Sequence, residues 1–470
     1  MIDLLCSNEI SFRDLEELFF KEGMAEIRAA FRKFLEWLDQ KLLEERDVDR
    51  YKVKGKRPKR LDTIVGDVTY TRRYYYDTQK EEHVALLDML LGLDKGQRVS
   101  PGLSHVAVTQ GVRGPSYREA RDSLEDLYGH RMLSHETVRQ LVMQTGDKIQ
   151  AEQKAQQQEP EGKRKVPVLY LEVDGYSAHM QNDSQNRREV QMLLSHEGWA
   201  KRYASSDQDQ YELVGRYHYQ RIADSDSDFW EEASRALYSR YDLKDTVVVI
   251  NGDRAKWIRE GVNYFDNAIY QMDRWHLIED LRHLLRGTDW MKEAFEAFHA
   301  DDVPGVLAAL ASGQRQMPEG RTKDRLIDLK LDILNNLEAA RDYRHRLQEQ
   351  GIDTTGMRGM GAAESQVDRF ENRTKKRGQS WSKQGLLAMV SSLAEHFADS
   401  LERYTKQVKV NLGLDTEKRQ QRVNRIARKA IKKTTGIRQV HPPIMDAGTN
   451  RSGGLSQLFH KLSRARPSMT

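Results

Sequence analysis

The sequence predicts a mixed α/β fold: a five-stranded sheet covered by helices, interrupted by an all-α insertion and preceded by a mainly helical region holding a small β-hairpin. The first observation behind this is the order of segments. Strand candidates from Val168 to Asp174-Gly175, at 188–195 and at 210–220 precede a helix from about 227 to 240, then a strand at 246–250, a helix, a strand at 268–272 and another helix. Three consecutive strands followed by helix–strand alternation describe a mixed sheet with helices on its faces. The second observation is that strand signals vanish between 289 and 350, where segments such as WMKEAFEAFHA and DRLIDLKLDILNNLEAARDYRHRLQEQ repeat apolar residues at helical spacing. The third is that the apolar strands run into acids: TVVVI ends at Asn251-Gly252-Asp253, AIYQM at Asp273 and VLYLEV at Asp174-Gly175. Loops at the carboxyl ends of strands are where α/β sheets bind ligands, although a single Asp there is equally an ordinary helix cap.

Length and composition set the frame. A chain of 470 residues has room for two or three domains, each with its own core. The balance of 76 Lys+Arg against 72 Asp+Glu is only +4, but the basic residues are clustered, and clustering matters more than the sum for a polyanionic partner. One cysteine, Cys6, excludes an internal disulfide and a cysteine-based zinc site. Mean hydropathy is −0.78 and no run approaches the ~20 apolar residues of a membrane span, so a soluble, cytoplasmic protein is expected.

Taken in order, residues 1–50 form an amphipathic helical arm over 11–46, suited to packing or to dimerisation. Residues 51–96 are a basic hairpin region. YKVKGKRPKR reads as an exposed loop whose Lys54, Lys56, Arg57, Lys59 and Arg60 suit phosphates, followed by a hairpin turning at Gly66-Asp67 and ending in Arg72, Arg73 and three tyrosines. Those aromatics either stack on bases or pack in a small sheet, and packing is the commoner use of strand tyrosines. Residues 97–150 resemble a helix-turn-helix, with Ser116 and Ser134 as N-caps, Gly129 as a stop, and Arg118 and Arg139 as DNA contacts, though many helical hairpins share this spacing. Residues 151–166 are a Gln/Lys/Glu-rich linker. The core follows in two parts, 167–288 and 361–400, around the insertion at 289–360. The segment after Glu364 is basic, with Arg373, Lys375, Lys376 and Arg377. The region 401–470 carries a denser run that includes Arg428, Lys429, Lys432 and Lys433. A solvated face is the usual meaning of such runs, but two of them flanking a carboxylate site favour a phosphate backbone.

Asp174, Asp253 and Glu364 are distant in sequence, so only the fold can gather them. Two strand-end aspartates and a helix-borne glutamate suit a pair of hard cations, because Mg²⁺ takes a few carboxylates plus waters and substrate oxygens. Such a pair stabilises both the attacking and the leaving oxygen in displacement at phosphorus. A metabolic Rossmann enzyme is disfavoured, since neither NGDRA nor VDGYS supplies Gly-x-Gly-x-x-Gly.

The order VDG, NGD, DRWH, helical insertion, AAESQVDRFENRTKKRG, preceded by LDTIVGDVTYTRRYYYD and SYREARDSL, resembles the DDE transposases with an RNase H-like core. More narrowly it is similar to the ISLre-two group of bacterial insertion-sequence transposases, catalogued as an uncharacterised protein family, and more distantly to Mutator-like and hAT transposases. The resemblance covers most of the chain. It implies Asp174, Asp253 and Glu364 as catalytic metal ligands, with Glu371 competing for the third place, and Asp273 with His276 as an accessory pair. A structural histidine at a helix start is the alternative for His276. It further implies two Mg²⁺ or Mn²⁺ ions, double-stranded DNA partners (terminal inverted repeats and target DNA), nucleoid association, and a homodimer or larger homo-oligomer. A non-catalytic DNA-binding descendant and another RNase H-like endonuclease remain the alternatives.

Overall fold

The computed structural model describes residues 11–158, 161–202, 210–222 and 226–405. The basic run with Arg428, Lys429, Lys432 and Lys433 lies outside the described residues, as does Cys6. The chain divides into two compact units, whose described parts are 11–60 with 67–95, and 61–66 with 96–405.

In the first unit, helix α1 (Phe12–Glu45) opens with a capping box in which Ser11 Oγ accepts from the Asp14 N–H and Asp14 accepts from the Ser11 N–H. Its C-terminal half is held by packing around the buried Leu35 and Asp39, whereas Phe12, Phe19, Phe20 and Ile27 in the N-terminal half are exposed. Strands β1 (Tyr51–Thr63), β2 (Gly66–Asp77) and β3 (Glu82–Val84) form one sheet with β2 in the middle. Two expectations fail here. The basic stretch 51–60 is a strand rather than a loop, and the hairpin turns at 64–65, with Gly66 at φ 103° beginning the second strand. Sheet edges accept Lys and Pro because the outer side of an edge strand has no ladder to complete, and β1 is such an edge. Of the three tyrosines after Arg73, Tyr75 is buried in the sheet together with Tyr70, whereas Tyr74 and Tyr76 are half-buried. Helix α2 (Leu86–Leu91) closes the unit.

The second unit begins with α3 (Pro101–Arg113), α4 (Tyr117–Tyr128) and α5 (His135–Gln158). Ser116 and Ser134 cap as expected, and Gly129 ends α4 in the left-handed region at φ 70°. The linker expected from 151 is instead helical to Gln158. Gln, Lys, Glu and Ala are good helix formers, and a helix already anchored by Val138, Val142 and Ile149 propagates through them.

The main sheet has five strands: β4 (Val168–His179), β5 (Arg187–His196), β8 (Tyr217–Ile222), β9 (Val247–Gly252) and β10 (Ala268–Met272), in the order β10-β9-β4-β5-β8. β9 and β10 run parallel to β4, while β5 and β8 are antiparallel neighbours on its other side. The strand expected over 210–220 is two: β7 (Tyr211–Leu213) pairs with β6 (Trp199–Lys201) in a separate ribbon, and β8 joins the sheet. Alternate residues Leu169, Leu171 and Val173 of β4 face a core shared with α6 (Asp226–Tyr238) and α8 (Arg274–Leu284). The insertion helices α9 (Trp290–His299), α10 (Val303–Gln316) and α11 (Arg321–Asn335) extend that core; α7 (Lys256–Arg259) lies in the β9–β10 connection, and α12 (Leu337–Ala340) and α13 (Tyr343–Glu349) end the insertion. The opposite face meets α14 (Ala362–Thr374) and α15 (Lys383–Phe397), followed by α16 (Leu401–Thr405); here Tyr176, Val190 and Met192 pack with Val367, Phe370 and Leu386. Among the described residues no helix is long and apolar enough to cross a membrane.

Candidate active site

Strand register brings three acids to one level. The parallel ladders end at Val173 opposite Gly252 and at Met272 opposite Gly252, so Asp174, Asp253 and Asp273 are each one step beyond a terminal pair on three adjacent strands. Asp174 was expected to end its strand, yet β4 continues to His179 because β5 still pairs with it; only the β9 side of the ladder stops there. Side chains alternate along a strand, which puts these acids on the same face as Tyr170, Val249 and Ile269, the face on which α14 lies. Gly252 fits the closing pair because a Cβ there would stand 2.6 Å from the Val173 carbonyl oxygen.

Residues Asp174, Asp253, Asp273, His276 and Glu364 all line one narrow cleft, with Trp275, Gly361 and Ala363. Its free volume of about 10 Å³ accommodates a water-sized occupant rather than a nucleotide. Substrate would have to approach from the solvent side, where Glu364 and Trp275 are exposed. Burial, opposed by the Gly175 N–H and reinforced by Asp253 and Glu364, pushes the Asp174 carboxyl up to about 6. Asp253 Oδ1 accepts from the Ala255 N–H at 2.8 Å and its carbonyl accepts from the Tyr270 hydroxyl at 2.6 Å, which fixes the strand-to-helix turn. None of Asp174, Asp253 and Glu364 pairs with a Lys or Arg among the described residues. Nor do any three His, Cys, Asp or Glu side chains among the described residues form a ready-made metal cage.

The structure separates the remaining candidates. Glu371, two turns along α14 from Glu364, is paired with Lys375 at 2.5 Å and is not part of the cleft. Asp273 is the N-cap of α8, accepting from the Trp275 and His276 N–H groups at 2.8 and 3.0 Å and from Asn251 Nδ2 at 2.7 Å. It therefore orients the start of α8, backbone first, rather than the His276 ring. That ring meets Trp275 edge-on at 4.9 Å.

A second row of residues went unread in the sequence. Two residues behind the acids, Glu172, Asn251 and Gln271 sit opposite one another, each about 1% exposed. Glu172 and Asn251 each hold a residue of the cleft, and Gln271 ties the sheet to the end of the insertion. Glu172 Oε2 accepts from the Gly361 and Ala363 N–H groups at 2.9 and 3.0 Å, fastening the start of the helix that bears Glu364. Asn251 holds Asp273, and Gln271 donates to the Ala339 carbonyl at 3.0 Å. The signal was available: Glu172-Val-Asp174, Asn251-Gly-Asp253 and Gln271-Met-Asp273 all place a polar residue two before the acid in an otherwise apolar strand.

The expected DNA contacts divide by exposure. Lys59 and Arg72 are buried in ion pairs with Asp88 at 3.1 and 2.7 Å, and Arg73 is paired with Asp39 at 2.6 Å, so these three charges hold the first unit together. Lys54, Lys56, Arg57 and Arg60 are exposed on β1, with Lys54 and Arg57 over the rings of Tyr76 and Tyr74. Arg118 is exposed on α4, and Arg139 is half-exposed beside Glu136. Lys375 and Lys376 pair with Glu371 and Asp368, Arg377 is exposed, and Arg373 is buried.

Comparison with known proteins gives the family. A UPF0236 protein of Caldanaerobacter subterraneus subsp. tengcongensis is 24% identical over 80% of this chain and 74% of its own length; its name joins eleven locus designations. A UPF0236 protein "in vanSb 3'region" of Streptococcus gallolyticus is 25% identical over 76% of each chain. Among solved structures, a chain of the Drosophila P element transposase strand transfer complex matches 75% of this chain and 96% of its own at 10% identity; its TM-score of 0.21 is too low to carry an argument. The family model described as "Uncharacterised protein family (UPF0236)" matches residues 5–411, and the chain belongs to that family.

Proposed function

We propose that this protein is a DDE transposase with an RNase H-like core, cleaving double-stranded DNA at the terminal inverted repeats of an insertion sequence and joining the ends to target DNA. The observation that carries the reading is that Asp174, Asp253 and Glu364 line one cleft without a cationic partner among the described residues. Packed carboxylates of that kind raise one another's pKa, and a divalent cation relieves the repulsion. The sheet order supports an RNase H-like core, with three antiparallel strands followed by two parallel to the first on its far side. A relative whose single name joins eleven locus designations is also what a multicopy mobile element produces.

In this reading Asp174, Asp253 and Glu364 would hold two Mg²⁺ or Mn²⁺ ions, whose shells are completed by waters and phosphate oxygens. When bound, the ions would activate the attacking oxygen and stabilise the leaving one. The protein's own groups do the positioning. His276 is placed to donate to a phosphate oxygen, Trp275 to stack on a base at the cleft mouth, and Glu172 to set the register of Glu364. Cytoplasmic, nucleoid-associated action as a homodimer or larger assembly goes with the proposal. The test is strand cleavage of end-bearing DNA with Mg²⁺ or Mn²⁺: Asp253→Asn should abolish cleavage and keep DNA binding, and full cleavage by the variant refutes the assignment.

A further inference from the structure

A second cavity, of about 260 Å³, opens between the C-terminus of α3, the C-terminal half of α14 and α15. Its cationic lining is Arg113, Arg369, Arg373 and Arg377, with His396 and Asn372 as further polar groups and no carboxylate. We propose that this cavity binds a phosphate group of a DNA strand.

Arg373 is 5% exposed, its guanidinium is held between the rings of Tyr117 and Trp381 at 5.1 and 5.3 Å, and its only hydrogen-bond acceptor among the described residues is the Gly111 carbonyl. A permanently charged group buried without a counter-ion is costly, and an anion entering the cavity supplies one. Arg113, Arg369 and Arg377 have no ion pair among the described residues, and Arg369 is pre-set by stacking at 3.8 Å over Phe397 and donating to Gln366. Burial lowers the His396 pKa, Arg113 lowers it further, Asp399 opposes this, and Arg369 adds a smaller lowering. Planar guanidinium forks fit phosphate oxygens better than ammonium groups do, and the cavity's charged lining is almost entirely arginine.

The cavity also stands in a defined relation to the cleft. Arg373 follows Glu364 along the same helix, so at helical rise the two are about 14 Å apart, the axial reach of about four nucleotides. Nine residues are also half a turn, so a strand that touches both passes around α14. The identification of the anion as DNA rests on the proposed strand cleavage, whereas the anion site itself does not.

The experiment uses the full chain and a labelled duplex, with affinity measured against salt. Arg113→Gln and Arg369→Gln should each weaken binding about 3- to 10-fold, and together they should lower the log–log salt slope by about 1–2. Arg369→Lys, which keeps the charge, should fall between wild type and Arg369→Gln and guards against a folding artefact. Lys292→Gln, on an exposed face of α9, should change nothing. An unchanged slope in the double variant overturns the proposal. So does binding of inorganic phosphate, read from His396 ring resonances, that leaves duplex affinity untouched by these substitutions. If the pocket variants lose DNA while Asp253→Asn still cleaves, the phosphate site stands and the active-site reading falls; the converse result separates them the other way.

Discussion

Glu172 is the residue whose replacement tests the architecture of the cleft most directly. Its Oε2 takes two backbone N–H groups at the start of α14, three and one residues ahead of Glu364. In Glu172→Ala both lose their acceptor. Gly361 is exposed and can turn to water, but Ala363 is buried, and a buried donor left unsatisfied costs about 1–3 kcal/mol. With loss of the charge-assisted bond to Gly361, the total is about 2–4 kcal/mol. Glu172→Gln is the informative partner. His196 Nδ1 accepts from the Gly198 N–H, which leaves the proton on Nε2, facing Glu172 Oε1 at 3.4 Å. A glutamine oxygen can replace Oε2 toward α14, but its NH₂ then opposes that N–H, so an intermediate loss of about 1–2 kcal/mol is expected. Urea unfolding gives the order wild type, Gln, Ala, and amide exchange at Ala363 should accelerate in the same order. Cleavage should fall at least tenfold in the Ala variant, because Glu364 is no longer held in register. An Ala variant within about 0.5 kcal/mol of wild type, with unchanged Ala363 exchange, refutes the anchoring argument.

Two further outcomes follow from side chains near α14 and α8. His218 is buried beneath α14, where burial drives its pKa down to about 4 against the pull of Gln366 at 3.3 Å. Because the unfolded chain binds this proton near 6.5 and the folded chain near 4, stability is full above about 6.5 and is lost as pH falls toward 4, by up to about 3 kcal/mol. Chemical denaturation across that range should show the slope, and His218→Gln should flatten it; a slope identical in the variant assigns the acid lability elsewhere. Trp275, half exposed beside His276, should contribute stacking worth about 1–3 kcal/mol to a substrate base. Trp275→Ala is expected to weaken binding of single-stranded or frayed transposon ends about 5- to 100-fold while leaving the melting temperature near wild type, and an unchanged affinity removes it from the interface.

The sequence by itself determined most elements of the second unit and the five acidic and histidine residues that line its cleft. Runs such as Ala268–Met272 and Val247–Gly252 are read directly, because buried parallel strands are continuous β-branched or apolar stretches and an acid following one is conspicuous. Glu364 was legible for a related reason, as an acid in the first turn of a helix after a glycine-rich break. Local pattern misled wherever a neighbour decides the outcome. The basic stretch 51–60 reads as a loop until β2 supplies a partner, and the polar tail of α5 reads as a linker until the buried part of the same helix anchors it. The tertiary structure alone decided three things. Register fixed which acids share a level, pairing distinguished a guanidinium that holds the fold, such as Arg72, from exposed Arg377, and depth revealed Glu172 as a buried clamp. The physical reason is common to all three. Periodicity reports which face of an element is apolar, whereas the partner that a polar side chain finds across the fold depends on distances that sequence spacing does not encode.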